Sequence, residues 1–155
     1  MEDIKRILVV SGIARDNQKA FHYGVSLARK YNAELYLIHV IHNPFGLEGW
    51  NVPMRSLKEE YERIITEAEK NLEEIIALEK ANGRKVHELI RKGHPTEEVL
   101  KVIEEENIDL LILSAHEETH LEHLESRMEN LMFGRSNDEL IRKMPCMILL
   151  VKQDF

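Results

Sequence analysis

Short apolar runs alternate with amphipathic segments from one end of this chain to the other, and that alternation restricts the possible folds more than any other feature. Ile7-Leu8-Val9-Val10, Leu35-Tyr36-Leu37-Ile38, Leu110-Leu111-Ile112-Leu113 and Met147-Ile148-Leu149-Leu150-Val151 are apolar at consecutive positions. A strand with one wet face alternates polar and apolar residues, so an unbroken run implies burial on both faces, as in a parallel sheet. Parallel neighbours need a long return connection, usually a helix. The spacing predicts strands over Arg6–Ser11, Glu34–Ile41, Lys85–Ile90, Asp109–Ala115 and Cys146–Val151. The third is more polar and therefore belongs nearer a sheet edge.

Helix signals fill the gaps. Asp16 is a candidate N-cap for a helix to about Tyr31, with Ala20, Tyr23, Val25, Leu27 and Ala28 as its apolar side and Asn32 as its end. A second helix is expected from Ser56 to about Ala81, closed by Asn82-Gly83 through a left-handed residue. A third follows Gly93-His94-Pro95-Thr96 and runs to about Glu106, with Pro95 in the first turn where no backbone donor is needed. Ser136-Asn137-Asp138-Glu139 has capping-box spacing for a fourth helix to about Lys143. Right-handed crossovers then imply a single doubly wound five-stranded parallel sheet, an α/β domain over residues 1–155. Ligands bind such sheets at the carboxyl ends of the strands, here Ser11-Gly12, Ile41-His42, Arg91–Gly93 and Ser114–Glu117. There is no internal repeat and no low-complexity linker.

A formal net charge of −7 argues against nonspecific nucleic-acid binding and against docking on anionic membrane, both of which need basic surface. Nothing approaches the ~20 apolar residues of a membrane span. Met1–Arg6 is too charged, and Ile7–Val10 too short, for a secretory leader. The lone Cys146 has no internal disulfide partner and sits in an apolar run, which suits a core residue in a reducing compartment. A cytoplasmic protein is the expectation.

Five segments, in order, resemble the universal stress protein family. They are Ile7–Ser11, Glu34–Val40 with Ile38-His39-Val40, Gly93-His94-Pro95 before a helix, Asp109–Leu113, and Phe133-Gly134 followed by Pro145-Cys146. The resemblance covers almost the whole chain. It implies an adenine-nucleotide alpha hydrolase-like sheet with strand order 3-2-1-4-5, and homodimers joined through the last strand, here 146–151. Some members bind ATP and others do not. In those that do, an acidic residue ends the first strand, Gly-x-x-Gly follows the fourth, and nine residues later comes Gly followed by Ser or Thr. Backbone amides and small side chains there cradle the phosphates.

This chain departs from that pattern. Gly12 stands at the acidic position, and Ser114-Ala115-His116-Glu117 replaces Gly-x-x-Gly. The replacements add Cβ atoms where backbone must approach the ligand, and Glu117 adds a negative charge. Sixteen residues separate Glu117 from Gly134, and Arg135 takes the Ser or Thr position with Ser136 one step later. If a nucleotide binds, its contacts are expected from Ser11, Gly12, Val40, Ser114, His116, Gly134, Arg135 and Ser136, with the Val40 backbone near the base. An Arg135 and Ser136 site for one phosphate, or for ATP or another adenine nucleotide, is the alternative to loss of the site.

Other groupings are weighed against plainer roles. His116, His120 and His123 lie among glutamates at helical spacing but match no metalloenzyme motif. A solvated helix with incidental histidines is expected, and a metal or ligand sensor is the alternative. The helical insert at about 118–132 carries Leu121, Leu124, Met128 and Leu131 as a stripe, read as a lid over the cleft or as a docking face for a protein partner. Phe45 and Trp50 in the loop His42–Pro53 are expected to anchor that loop, rather than to stack on a base. His39 and His42 are read as structural. Ser11 and Ser114 lack a Gly-x-Ser-x-Gly elbow, and Cys146 has no base near it in sequence. No catalytic residue and no resident cofactor are expected. The reading is a non-enzymatic stress-response or regulatory dimer with a degraded ATP site.

Overall fold

A computed structural model describes residues 3–11, 18–41, 55–115 and 135–152. Its elements are β1 (Arg6–Ser11), α1 (Gln18–Tyr31), β2 (Glu34–Ile41), α2 (Arg55–Ala81), β3 (Val86–Lys92), α3 (Pro95–Glu105), β4 (Leu110–Ala115), α4 (Arg135–Lys143) and β5 (Met147–Lys152). The strands form one parallel sheet in the order β3-β2-β1-β4-β5, the doubly wound arrangement expected. Its register pairs Leu8 with Tyr36 and with Leu111, Leu35 with Val86, and Leu110 with Met147. The polar β3 lies at one edge and β5 at the other.

Alternation along the buried strands divides the core in two. Leu8, Val10, Tyr36, Ile38, Val40, Leu111 and Leu113 face a cluster completed by Val99, Val102 and Ile103 of α3 and Leu140 of α4. Ile7, Val9, Leu35, Leu37, Leu110 and Ile112 face the opposite cluster, completed by Ala20, Phe21, Val25 and Ala28 of α1 and Ile76 of α2. Helix α1 lies unusually close to the sheet at Gly24. A Cβ added there would stand 2.6 Å from Val9 Cγ2 and 3.2 Å from Leu35 Cδ1, closer than carbon atoms pack.

Several boundaries and faces differ from the sequence reading. Strand β3 runs Val86–Lys92, not Lys85–Ile90, because main-chain pairing with β2 continues through Ile41↔Lys92. Strand β5 starts at Met147, one residue later than expected. On α1 the buried side is Ala20, Phe21, Val25 and Ala28, whereas Tyr23 is 49% exposed. Two residues of helix rotate the side chain by about 200°, so Phe21 and Tyr23 must point to opposite sides.

Helix ends follow the sequence signals. Asn32 (φ 52°) and Gly83 (φ 81°) take the left-handed conformation that ends α1 and α2. Ala33 N–H then reaches Ala28 C=O at 2.9 Å, and Gly83 N–H reaches Lys80 C=O at 3.0 Å. The Asp109 carboxylate joins the starts of β4 and β1 by accepting from Lys5 N–H (2.8 Å) and Arg6 N–H (2.9 Å). Among the described residues no helix is long and apolar enough to cross a membrane. Asp16, the loop 42–53 with Phe45 and Trp50, and the insert 118–132 lie outside the described residues.

Candidate functional site

The carboxyl ends of β1, β2 and β4 stand side by side in the middle of the sheet, where the order of winding reverses between β1 and β4. Ser11 ends β1 in register with His39 of β2, and Ser114 lies one residue from the end of β4, paired with Val151. Val40 is 1% exposed, and its side chain belongs to the cluster under α3 and α4, so only its main chain is available to a ligand. Arg135 and Ser136 open α4. Gly12, His116 and Gly134, and His120 and His123 of the histidine grouping, lie outside the described residues. Among the described residues no group of three or more His, Cys, Asp or Glu is placed to hold a metal ion.

What joins α4 to the sheet at this point is a residue that the sequence reading included only as a member of a capping box. Asn137 Nδ2 donates to the Ser114 main-chain carbonyl at 2.8 Å. The helix begins at Arg135, two residues before the Asn137 start that a Ser136 cap implies, so Asn137 lies within the first turn. The bond fixes the first turn of α4 against the last turn of main chain in β4. The Ser114 hydroxyl itself is buried and has no hydrogen-bond partner among the described residues. Replacing Asn137 with alanine should cost about 1 kcal/mol by removing one hydrogen bond to a part-buried carbonyl. Chemical denaturation would read it as a lower urea midpoint, and an unchanged midpoint would mean the bond contributes nothing.

Of the four described helices that start at this end of the sheet, α1 and α2 have no acidic residue in the first turn, whereas α3 and α4 do. Helix α3 carries Glu97 and Glu98 in its first turn, and α4 carries Asp138. Carboxylates at these positions are stabilised by the helix dipole and take up the favourable potential an incoming phosphate would use.

His39 occupies the same end of the sheet on the α1 and α2 side. It is 5% exposed, with Nε2 3.5 Å from Glu69 Oε1. Burial pushes its pKa below the ordinary 6.5, and the nearby Glu88 carboxylate only partly offsets this. The neutral form is therefore favoured when folded, and the unfolded chain binds the proton more readily. Stability from this group is present above about pH 6.5 and declines as pH falls below it. The melting temperature should drop more between pH 7.5 and 5.5 in the natural protein than in a His39→Gln variant. Equal slopes would remove His39 as the cause. Cys146 is half-buried, and desolvation raises its thiol pKa, as suits an inert position.

The sheet, with its switch point between β1 and β4 and a helix opening beside it, defines a doubly wound α/β protein, a class in which ligands bind at the strand carboxyl ends. The comparisons with known proteins specify the class. A model of the universal stress protein family matches residues 3–152, so the chain belongs to that family. Universal stress protein MJ0531 of Methanocaldococcus jannaschii is 27% identical over 154 residues, covering 96% of this chain and 82% of that protein. Among solved structures, that of MJ0577 superposes with a TM-score of 0.67 at 23% identity, covering 99% of each chain. A universal stress protein from Archaeoglobus fulgidus, solved in complex with dAMP, superposes with a TM-score of 0.60 at 13% identity over 98% of this chain and all of that one. These likenesses match the adenine-nucleotide alpha hydrolase-like sheet expected above.

Proposed function

We propose that this universal stress protein is a non-enzymatic regulatory binding protein that has lost family-type ATP binding. The observation that carries this reading is the charge at the carboxyl end of the sheet. Two of the four described helices that open there carry carboxylates in the first turn, Glu97 and Glu98 on α3 and Asp138 on α4, whereas α1 and α2 carry none. A triphosphate brought to that end would meet these charges, and at 4 Å each like-charged contact is unfavourable by about 1 kcal/mol even in water. The sequence adds Glu117 in place of a phosphate-loop glycine.

A second reading is favoured by the dAMP complex of the Archaeoglobus fulgidus relative. On this second reading the present chain would take a nucleoside monophosphate with its base near the Val40 main chain and its single phosphate at Arg135 and Ser136. One phosphate carries less charge to be repelled, and a guanidinium binds it bidentately. Calorimetry with ATP, AMP and inorganic phosphate separates the two. We expect no measurable heat with ATP at millimolar concentration. Micromolar ATP affinity would overturn the main reading, while binding of AMP alone would establish the second.

The protein acts, on this proposal, as a cytoplasmic homodimer joined through β5. That strand leaves Met147 55% and Leu150 47% exposed along an open sheet edge, which in a monomer would invite unregulated pairing. A two-fold pairing covers both copies at once. Sedimentation at micromolar concentration should give the dimer mass, and a monomer would exclude the β5 interface.

A further inference from the structure

A cavity of about 430 Å³ lies at the opposite end of the sheet, between the C-terminal ends of α1 and α2 and the amino ends of β2 and β3. That volume is in the range of small-molecule sites. Val25, Leu35 and Val86 form its apolar floor, and Arg29, Arg84 and Lys85 stand around it. Beneath them Glu79 is buried, at 7% exposure, and held from two sides. Arg29 Nη2 donates to Glu79 Oε1 at 3.3 Å, and Arg84 Nε pairs with Oε2. The contributing residues come from two stretches, 25–35 and 79–86, so only the fold brings Arg29 to Glu79, Arg84 and Lys85.

The charge count is unusual for this chain. Three cations (Arg29, Arg84, Lys85) face two carboxylates (Glu79, Glu34), a local excess of one positive charge on a protein of net charge −7. Glu34 is shared, accepting from Tyr36 Oη at 3.0 Å, lying 3.3 Å from His87 Nε2, and feeling the positive charge of Lys85. The plain alternative is that the arginines neutralise helix C-terminal carbonyls. Five of those carbonyls already accept from main-chain donors: Ala28 from Ala33, Arg29 from Asn32, Leu78 from Asn82, Glu79 from Arg84 and Lys80 from Gly83. Each guanidinium spends one edge on Glu79 and has further N–H donors to offer, and Lys85 is exposed.

The geometry points to a second binding site, for a small organic anion whose carboxylate or phosphate is held by Arg29, Arg84 and Lys85 with its carbon skeleton against Val25 and Leu35. Glu79 fixes the two guanidiniums in place before the ligand arrives, so little ordering is needed on binding. The site is independent of the nucleotide question, because it lies at the far end of every strand from Ser114 and Asn137. Placed on α1 and α2 together, it gives an anionic metabolite a means of bracing both helices of that face against the sheet.

The test is amide NMR titration of the full chain with succinate and, separately, inorganic phosphate, against sodium chloride at matched ionic strength. We expect saturable shifts at Asn32, Glu34, Arg84 and Lys85 with at least one of the two probes, and the probe that saturates first identifies carboxylate or phosphate as the preferred group. Arg29→Gln and Lys85→Gln should each weaken that binding about tenfold, the loss of one charge-assisted contact. Should Arg29→Gln fail to fold, Lys85→Gln, at an exposed position outside the Glu79 pair, carries the test alone. Shifts that rise linearly as they do with chloride would overturn the proposal. So would saturation centred on Ser114 and Asn137, or affinity unchanged in Lys85→Gln.

Discussion

Replacing Phe21 with alanine should lower the unfolding free energy by about 3–5 kcal/mol, the usual cost of deleting a fully buried aromatic side chain. Phe21 has no exposed surface and sits in the cluster between α1 and the sheet, with Val9, Leu37 and Ile112 among its members. Helix α1 touches β1, β2, β4 and β5, so a void there loosens one helix from four strands. Against a typical total of about 5–15 kcal/mol this is roughly a fifth or more of the stability. For a domain of this size the melting temperature should fall by roughly 6–20 °C. Tyr23→Ala, two residues along and half-exposed, should stay within about 0.5 kcal/mol. Similar losses at both positions would mean that α1 is rotated from the orientation described.

Leu140→Ala should cost about 2–5 kcal/mol and, beyond stability, release the helix that opens the candidate site. Leu140 is 1% exposed and is the one residue of α4 described as buried; the helix is otherwise largely polar. It packs into the cluster that includes Val40, Val99 and Leu113. Without it, the Asn137 bond to the Ser114 carbonyl has little to hold α4 in place. Amide exchange in the first turn of α4 should accelerate by more than exchange in α1. Because Phe21 and Leu140 lie on opposite faces of the sheet, the double variant should lose the sum of the single losses to within about 0.5 kcal/mol. A coupling well above that would show that the sheet transmits packing changes between its two cores.

Much of the fold was legible in sequence because strand and helix formation are local. Consecutive apolar residues at Ile7–Val10 and Leu110–Leu113 needed no partner to announce strands buried on both faces, and Asn32 and Gly83 announced left-handed helix ends. The strand order came from the resemblance, since equal apolar runs do not say which of them are neighbours. Tyr23 was misread because an amphipathic tyrosine is as common at a helix surface as in a core. Only the rotation of α1 about its axis, fixed by the close approach at Gly24, decides which side it takes.

The candidate site was read in part. Ser11, Val40, Ser114, Arg135 and Ser136 do fall at the carboxyl ends of the strands or at the opening of α4, as parallel topology requires. Asn137 was missed as the tie to β4, since its partner, the Ser114 carbonyl, is 23 residues away and belongs to the main chain. A main-chain acceptor leaves no mark in the sequence.

By itself the sequence determined the alternation of strands and helices, the acidic character of the chain, and the departures from the phosphate loop at Ser114–Glu117 and Arg135. Tertiary structure alone decided which side of α1 is buried, that α4 hangs on Leu140 and Asn137, and that Arg29, Glu79 and Arg84 meet around a cavity. The division has a physical cause. Backbone conformation responds to neighbours a few residues apart, whereas a buried ion pair or a side-chain bond to a distant carbonyl forms only where packed elements place the groups within reach.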